Sequence, residues 1–226
     1  MTTGAAFQRA RRPEQKQQRQ GAILGAARQL ALRDGVRNVS LTDIAARVGI
    51  HKSALLRYFE TREQIFLELT AESWIDWARV LHAEFSEASP GSAELVADVV
   101  ARSFADRPLL CDLIPHTALS LERNVSADAV RRYKLTSLAV MSDAAALIHR
   151  ILPDLTVDEC RDFVTTMATL AGALWQIATP PPALAELYAS DAQLAQACVN
   201  LAPRLQRTAA VLLAGLIPSR TQRPSR

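Results

Sequence analysis

Gly49 stands between two short stretches that each carry apolar residues at helical spacing, within SLTDIAARVGIHKSALLRYFETREQIF, Ser40 to Phe66. That punctuation leaves the chain few options. Ser40 can accept from the backbone N–H near Asp43, and the Ser-x-x-Asp spacing resembles a capping box with a shorter acid. Ile44, Ala45 and Val48 then form the inner face of a second helix. Gly49 supplies the freedom for a sharp turn, and Ile50 plugs the core beneath it. A third helix, about His51 to Tyr58, buries Leu55 and Phe59 and leaves Lys52, Ser53, Leu56 and Arg57 facing outwards. Thr61-Arg62-Glu63-Gln64 is a capping box for a fourth, long helix from Arg62 to about Glu87.

A first helix, roughly Glu14 to Leu32, precedes this pair with Ile23, Leu24, Ala27, Leu30 and Ala31 on one face, and Asp34-Gly35 stops it. Almost every later segment also keeps the helical period, and none sustains strand alternation, so the expected fold class is all-α. Two helices joined by a tight glycine turn, the second short and basic on its open face, make a helix-turn-helix, a shape that inserts its second helix into the major groove of DNA.

Charge supports an anionic partner for this region alone. Of the 226 residues, the first 61 hold 11 Lys/Arg against 4 Asp/Glu, while the remainder holds 15 against 19. Positive charge is therefore concentrated in the first quarter. Cys111, Cys160 and Cys198 are far apart and form no CxxC pair, which suggests neither a disulfide framework nor a zinc site and fits a reduced cytosol. His51, His82, His116 and His149 share no metal-ligand spacing. The basic N-terminus lacks the apolar stretch of a secretory signal, and Phe163 to Ala185, though uncharged, is broken by three prolines and does not qualify as a membrane span. A soluble, cytoplasmic protein without membrane partner, cofactor or metal is expected.

The run from Ser40 to Leu69 resembles the tetracycline-repressor (TetR) family of bacterial transcriptional regulators, following its order of capped helix, Ile-Ala, Gly-apolar, recognition helix, Tyr-Phe and capped helix. Carried over position by position, the resemblance implies DNA contacts at Thr42, at Lys52, Ser53, Leu56 and Arg57, and at Arg62 on the next helix start. His51 replaces the family's usual serine or threonine cap, which weakens the cap or lets the imidazole reach a phosphate. Leu56 replaces a tyrosine, which removes a hydroxyl but still allows packing on a thymine methyl. Lys52 and Arg57 carry the donors that guanine O6 and N7 accept. Arg9, Arg11, Arg12, Lys16 and Arg19 form an arm suited to phosphates or the minor groove.

The expected organisation is a flexible basic arm over 1–13, a helix-turn-helix domain over 14–61, a helical ligand-binding and dimerisation domain over 62–218 and a basic tail over 219–226. In the larger domain, helices are expected near 92–105, from Pro108, over 130–152, over 157–178, near 184–188 and over 203–217. Two of these are unusual. In Val157–Ala178, Cys160, Phe163, Val164, Met167, Leu170, Ala171, Leu174, Trp175 and Ala178 make a full inward stripe, yet the opposite face is small and uncharged. The last helix is uncharged from Thr208 to Ser219. Such helices need cover on both sides, and a second copy of the chain is the simplest cover. Thr165, Thr169, Gly172, Ala173, Gln176, Ala209, Leu212, Leu213 and Leu216 are the expected interface of a homodimer, which the TetR resemblance also implies.

The resemblance further implies an inducer cavity in the larger domain. Trp74, Trp77, Phe104, Cys111, His116, Tyr133, Met141, Met167 and Trp175 are the aromatic or polarizable residues suited to lining it. The expected function is a repressor that binds a palindromic double-stranded operator as a dimer and is released by an unidentified small apolar ligand. The alternative is a ligand-independent or redox-responsive regulator acting through protein partners. No nucleophile motif, paired carboxylates or phosphate loop points to an enzyme.

Overall fold

The computed structural model describes residues 4–86 and 90–217, with side chains from residue 14 onwards. No strand occurs among the described residues, and ten α-helices follow one another: α1 Gly4–Asp34, α2 Leu41–Val48, α3 Lys52–Leu55, α4 Arg62–Phe85, α5 Ala93–Ala105, α6 Pro108–His116, α7 Ala127–Ile151, α8 Val157–Ala178, α9 Pro182–Ser190 and α10 Leu201–Leu216. The helix expected from Glu14 begins earlier, at Gly4, and runs through Pro13. The side chains of Arg9, Arg11 and Arg12, and the tail over 219–226, lie outside the described residues.

Two compact units divide the chain. The first comprises residues up to Thr70 together with His116–Tyr133; the second comprises Ala71–Pro115 and the chain from Lys134 onwards. The N-terminal unit is therefore larger than the 14–61 segment expected from sequence. Glu60 receives Ser126 from the returning segment, its Oε2 accepting from the Ser126 N–H at 3.3 Å. The chain passes between the units within α4, within α7, and at Pro115–His116. Only the last of these is irregular: Pro115 lacks an N–H, and the coil widens into a π turn over Thr117–Leu121, with the Glu122 N–H donating to the Thr117 carbonyl at 3.1 Å.

The core of the first unit includes Ile23, Ala27, Leu30 and Ala31 from α1, Ile44 and Ala45 from α2, and Ile65, Phe66 and Leu69 from α4, all buried. In the second unit α10 packs on α5 and α8, and α5 also meets α8. A capping box starts α8: Thr156 Oγ1 accepts from the Glu159 N–H at 3.2 Å and Glu159 Oε2 accepts from the Thr156 N–H at 2.7 Å. No described helix is long and apolar enough to cross a membrane.

Candidate nucleic-acid interface

The turn between α2 and α3 is built locally. Ser40 Oγ accepts from the Asp43 N–H at 3.3 Å, and Asp43 Oδ2 accepts from the Ser40 N–H at 2.8 Å, so the shorter acid closes the box. These bonds, from the Ser40 side chain first, hold the Asp43 carboxyl below its ordinary range. At the other end Gly49 takes φ 72° and ψ 36°, the left-handed conformation, and the Ile50 N–H returns to the Ala45 carbonyl at 3.0 Å. That 6→1 bond is the mark of a Schellman ending, which a residue with a side chain would strain. The Arg47 guanidinium donates to Gln29 Oε1 at 2.9 Å, fastening α2 to α1.

The third helix is shorter than expected. It makes a single α turn, Lys52–Leu55, and then tightens, with Arg57 N–H donating to the Ala54 carbonyl and Tyr58 N–H to the Leu55 carbonyl, both three residues back. His51 occupies the N-cap position without a side-chain capping bond, so only its carbonyl, accepting from the Ala54 and Leu55 N–H groups at 2.9 and 3.1 Å, holds the first turn. Tertiary packing supplements it: Leu55 is 0% and Phe59 1% exposed, each burial being worth about 1.5–3 kcal/mol. The opposite surface carries His51, Lys52, Ser53, Leu56 and Arg57, all exposed, and Thr42 is exposed on the first turn of α2. The expected division between inner and outer residues is thus present, although its helical frame is tighter.

Lys16 and Arg19 ride on α1 rather than on a loose arm. With Gln15, Gln18, Ala22, Arg57 and Tyr58 they line an open groove of about 800 Å³. Three cationic side chains share this concavity, and one of them belongs to the recognition turn. Sequence reading gave these cations as separate groups; only the fold puts them in one groove.

Arg62 is engaged within the fold. Its guanidinium donates to the carbonyls of Val36 and Val39, pairs with Glu63 at 3.3 Å and lies 4.5 Å from the centre of the Phe66 ring. Only 20% of its side chain is exposed. The donors that the resemblance assigns to DNA are turned into the fold, because the carbonyls before α2 have no helix to receive them. At the same junction Thr61 Oγ1 accepts from the Gln64 N–H at 3.1 Å, while Gln64 Oε1 accepts from the Glu60 N–H at 2.6 Å, one residue further back than a capping box requires.

The residues expected to line a ligand cavity separate into groups. Trp77 stacks on Phe104 at 4.9 Å, and Trp74 stands edge-on to both. Trp77 Nε1–H donates to Ser103 Oγ at 2.8 Å, and Cys111 Sγ–H to the Phe104 carbonyl at 3.2 Å. Trp74 Nε1–H is buried with no acceptor. Met167 is fully buried, and Met141 and Trp175 are half-buried. His116 and Tyr133 belong to the other compact unit. Burial, and then the neighbouring Asp112, push the Cys111 thiol up to about 12. Cys160 is also buried and Cys198 is exposed. Among the described residues no group of three His, Cys, Asp or Glu is placed to hold a metal ion.

The expected dimer face also divides. Thr165, Thr169, Ala173 and Gln176 are exposed, Gln176 donating to Asp112 Oδ1 at 2.9 Å, and Leu212 and Leu216 are half-buried. Gly172, Ala209 and Leu213 are corrected: they are buried within the chain itself. A Cβ on Gly172 would stand 2.9 Å from Ile114 Cγ2 and 3.0 Å from Pro115 Cδ, so this glycine admits α6 rather than a second copy. Ala209 and Leu213 lie on a helix already occupied by α5 and α8. Ile177 and Val211, at 51% and 70% exposure, extend the open apolar face and were not singled out in the sequence.

Two family models match. Residues 23–69 match the bacterial regulatory proteins of the tetR family, and residues 71–220 match a tetracyclin repressor-like C-terminal domain. Among solved structures, a putative transcriptional regulator from Rhodococcus sp. RHA1 has a TM-score of 0.59 at 17% identity, covering 87% of this chain and 93% of its own. The fatty acid degradation regulator FadR from Bacillus halodurans has a TM-score of 0.57 at 15% identity over 87% and 95% of the two chains. FadR from Thermus thermophilus, a TetR-family repressor in complex with lauroyl-CoA, has a TM-score of 0.54 at 13% identity over 92% and 100%. These three are alike in fold. No curated protein sequence matches. With both halves of the chain matched, it belongs to the tetracycline-repressor family and is a DNA-binding transcriptional regulator that works as a dimer, not an enzyme.

Proposed function

We propose that the chain is a cytoplasmic repressor whose homodimer binds a palindromic operator and releases it when a small apolar ligand enters the helical domain. The observation that carries this reading is the exposed row of Lys52, Ser53, Leu56 and Arg57 over the buried Leu55 and Phe59. Lys52 and Arg57 supply donors to base edges, Leu56 packs on a thymine methyl, and Thr42 and His51 meet phosphates. Lys16 and Arg19, sharing a groove with Arg57, continue the phosphate track. Arg62 holds the turn that presents these groups and makes no direct contact.

Two such surfaces, held about 34–36 Å apart, read successive major grooves. A ligand then acts by binding one spacing of the pair better than the other. The residues assigned to it are those around Trp74, Trp77 and Phe104, where the Trp74 Nε1–H lacks an acceptor. A ligand carrying a carbonyl, ether or carboxylate oxygen satisfies that donor. The redox alternative has less support, because two of the three thiols are buried and the Cys111 thiol resists ionisation.

Fluorescence anisotropy with the duplex upstream of the chain's own gene tests the reading. A defined palindromic fragment bound in preference to random duplex supports it; equal affinity for both rejects it.

A further inference from the structure

The open groove between α1 and the recognition turn holds an amine as well as two guanidiniums. Lys16 and Arg19 stand at i and i+3 on α1, the spacing of one helix face, and Arg57 and Tyr58, just past α3, line the groove with them. All three cations are exposed. The remaining lining comes from the amides of Gln15 and Gln18 and from Ala22, and no Asp or Glu takes part. Other exposed arginines of the chain keep an acid close: Arg33 has Asp34, Arg102 has Asp98 and Arg161 has Asp158. The groove thus gathers unneutralised positive charge around one nucleophile.

We propose that Lys16 is a site of acylation by an acyl phosphate, whose phosphate the guanidiniums of Arg19 and Arg57 hold while its acyl carbon meets the amine. Arginine suits this part, because its planar fork matches phosphate oxygens in pairs. Holding the donor makes its reaction with the neighbouring amine effectively intramolecular. The neutral Nζ attacks the acyl carbonyl carbon, the bond from that carbon to the bridging oxygen breaks, and inorganic phosphate leaves with the electron pair. The proton released by the nitrogen passes to that phosphate. An amide replaces the amine, so the groove loses one cation without any oxidant or reductant. Weaker operator binding follows, a consequence that rests on the reading of this groove as part of the phosphate track; the modification itself does not. Duplex and donor seek the same guanidiniums, so bound DNA shields Lys16.

The chain has only three lysines, Lys16, Lys52 and Lys134, so each can be followed separately. The full chain is incubated with acetyl phosphate, and peptide mass spectrometry reads the rate of acetylation at each lysine. The expected rate at Lys16 is about fivefold or more above the other two, and falls about threefold or more in Arg19→Gln while that at Lys134 is unchanged. Added duplex lowers it as well. The acetyl ester of N-hydroxysuccinimide, an uncharged donor with no phosphate to hold, removes the preference. Equal rates at the three lysines overturn the proposal, and so does a preference for Lys16 that persists with the uncharged ester or in Arg19→Gln. Lys16→Gln, which copies the loss of charge, is expected to make the slope of log K against log salt shallower by about one counterion in operator titrations. An unchanged slope and affinity overturn the regulatory consequence and leave the modification standing.

Discussion

The guanidinium of Arg62, at the start of α4, donates to the main-chain oxygen of Val39, the residue just before the Ser40 cap of α2. A second donor of the same group reaches Val36. The long helix is thereby fastened to the entrance of the helix-turn-helix. Arg62→Met removes the donors and keeps most of the apolar stem. Leaving those carbonyls without partners costs about 1–3 kcal/mol, seen as a lower urea midpoint. Operator affinity falls with it, but the dependence of log K on log salt keeps its slope, because no phosphate contact is lost.

Lys52→Ala and Arg57→Ala behave in the opposite way. Neither side chain supports the core, so unfolding is unchanged within about 0.5 kcal/mol. Each variant loses operator affinity by about 1–3 kcal/mol if its donor meets a base. If it meets a phosphate, the salt slope shrinks by about one counterion. Anisotropy titrations at several salt concentrations separate the two cases.

Gly172→Ala tests the correction to the dimer face. Alanine favours a helix interior by about 1 kcal/mol over glycine. Here the added carbon falls 2.9 Å from Ile114 Cγ2 and 3.0 Å from a proline ring carbon, and neither neighbour is the free end of a flexible chain. Overpacking costs about 1–3 kcal/mol, so the net effect is a loss of stability in thermal melts. A gain would mean that the face is open.

The two neighbouring tryptophans differ in one bond. Trp77→Phe breaks the 2.8 Å bond to Ser103, whereas Trp74→Phe removes a buried donor that has no acceptor. Both lose comparable volume. Chemical denaturation should therefore find Trp77→Phe the more damaging by about 1 kcal/mol. Equal losses would reject this assignment.

Thiol chemistry should reveal one reactive group. Cys198 reacts with Ellman's reagent in the native protein, and Cys111 and Cys160 only after unfolding. Burial holds the Cys111 thiol neutral up to about 12, against an ordinary 9.0. Its contribution to stability is whole below about pH 9, where the unfolded chain also keeps the proton, and declines as pH rises towards 12, where only the unfolded chain has already released it. Native Cys111 therefore stays unreactive at pH 9.

Local chemistry was legible in the residues themselves. Ser40, Gly49, Leu55 and Phe59 state the helix-turn-helix because a cap, a left-handed turn and an inner stripe are each decided within a few positions. Gly172, Ala209 and Leu213 were misread for a physical reason: a small or apolar residue at helical spacing serves equally well against the same chain or another. The internal bonds of Arg62 were not legible because a cation at a helix start is ordinarily solvated, and nothing nearby in sequence announces the carbonyls of Val36 and Val39. The role of Lys16 beside Arg57 required the return of α3 to α1, which no local pattern encodes.

Of the three strands of chain that pass from one compact unit to the other, α4 and α7 are continuous rods and the third runs through Pro115 into a widened coil. Rods resist bending; a coil with a missing rung does not. The crossing at Pro115 is therefore the one of the three at which the main chain gives up a helical donor.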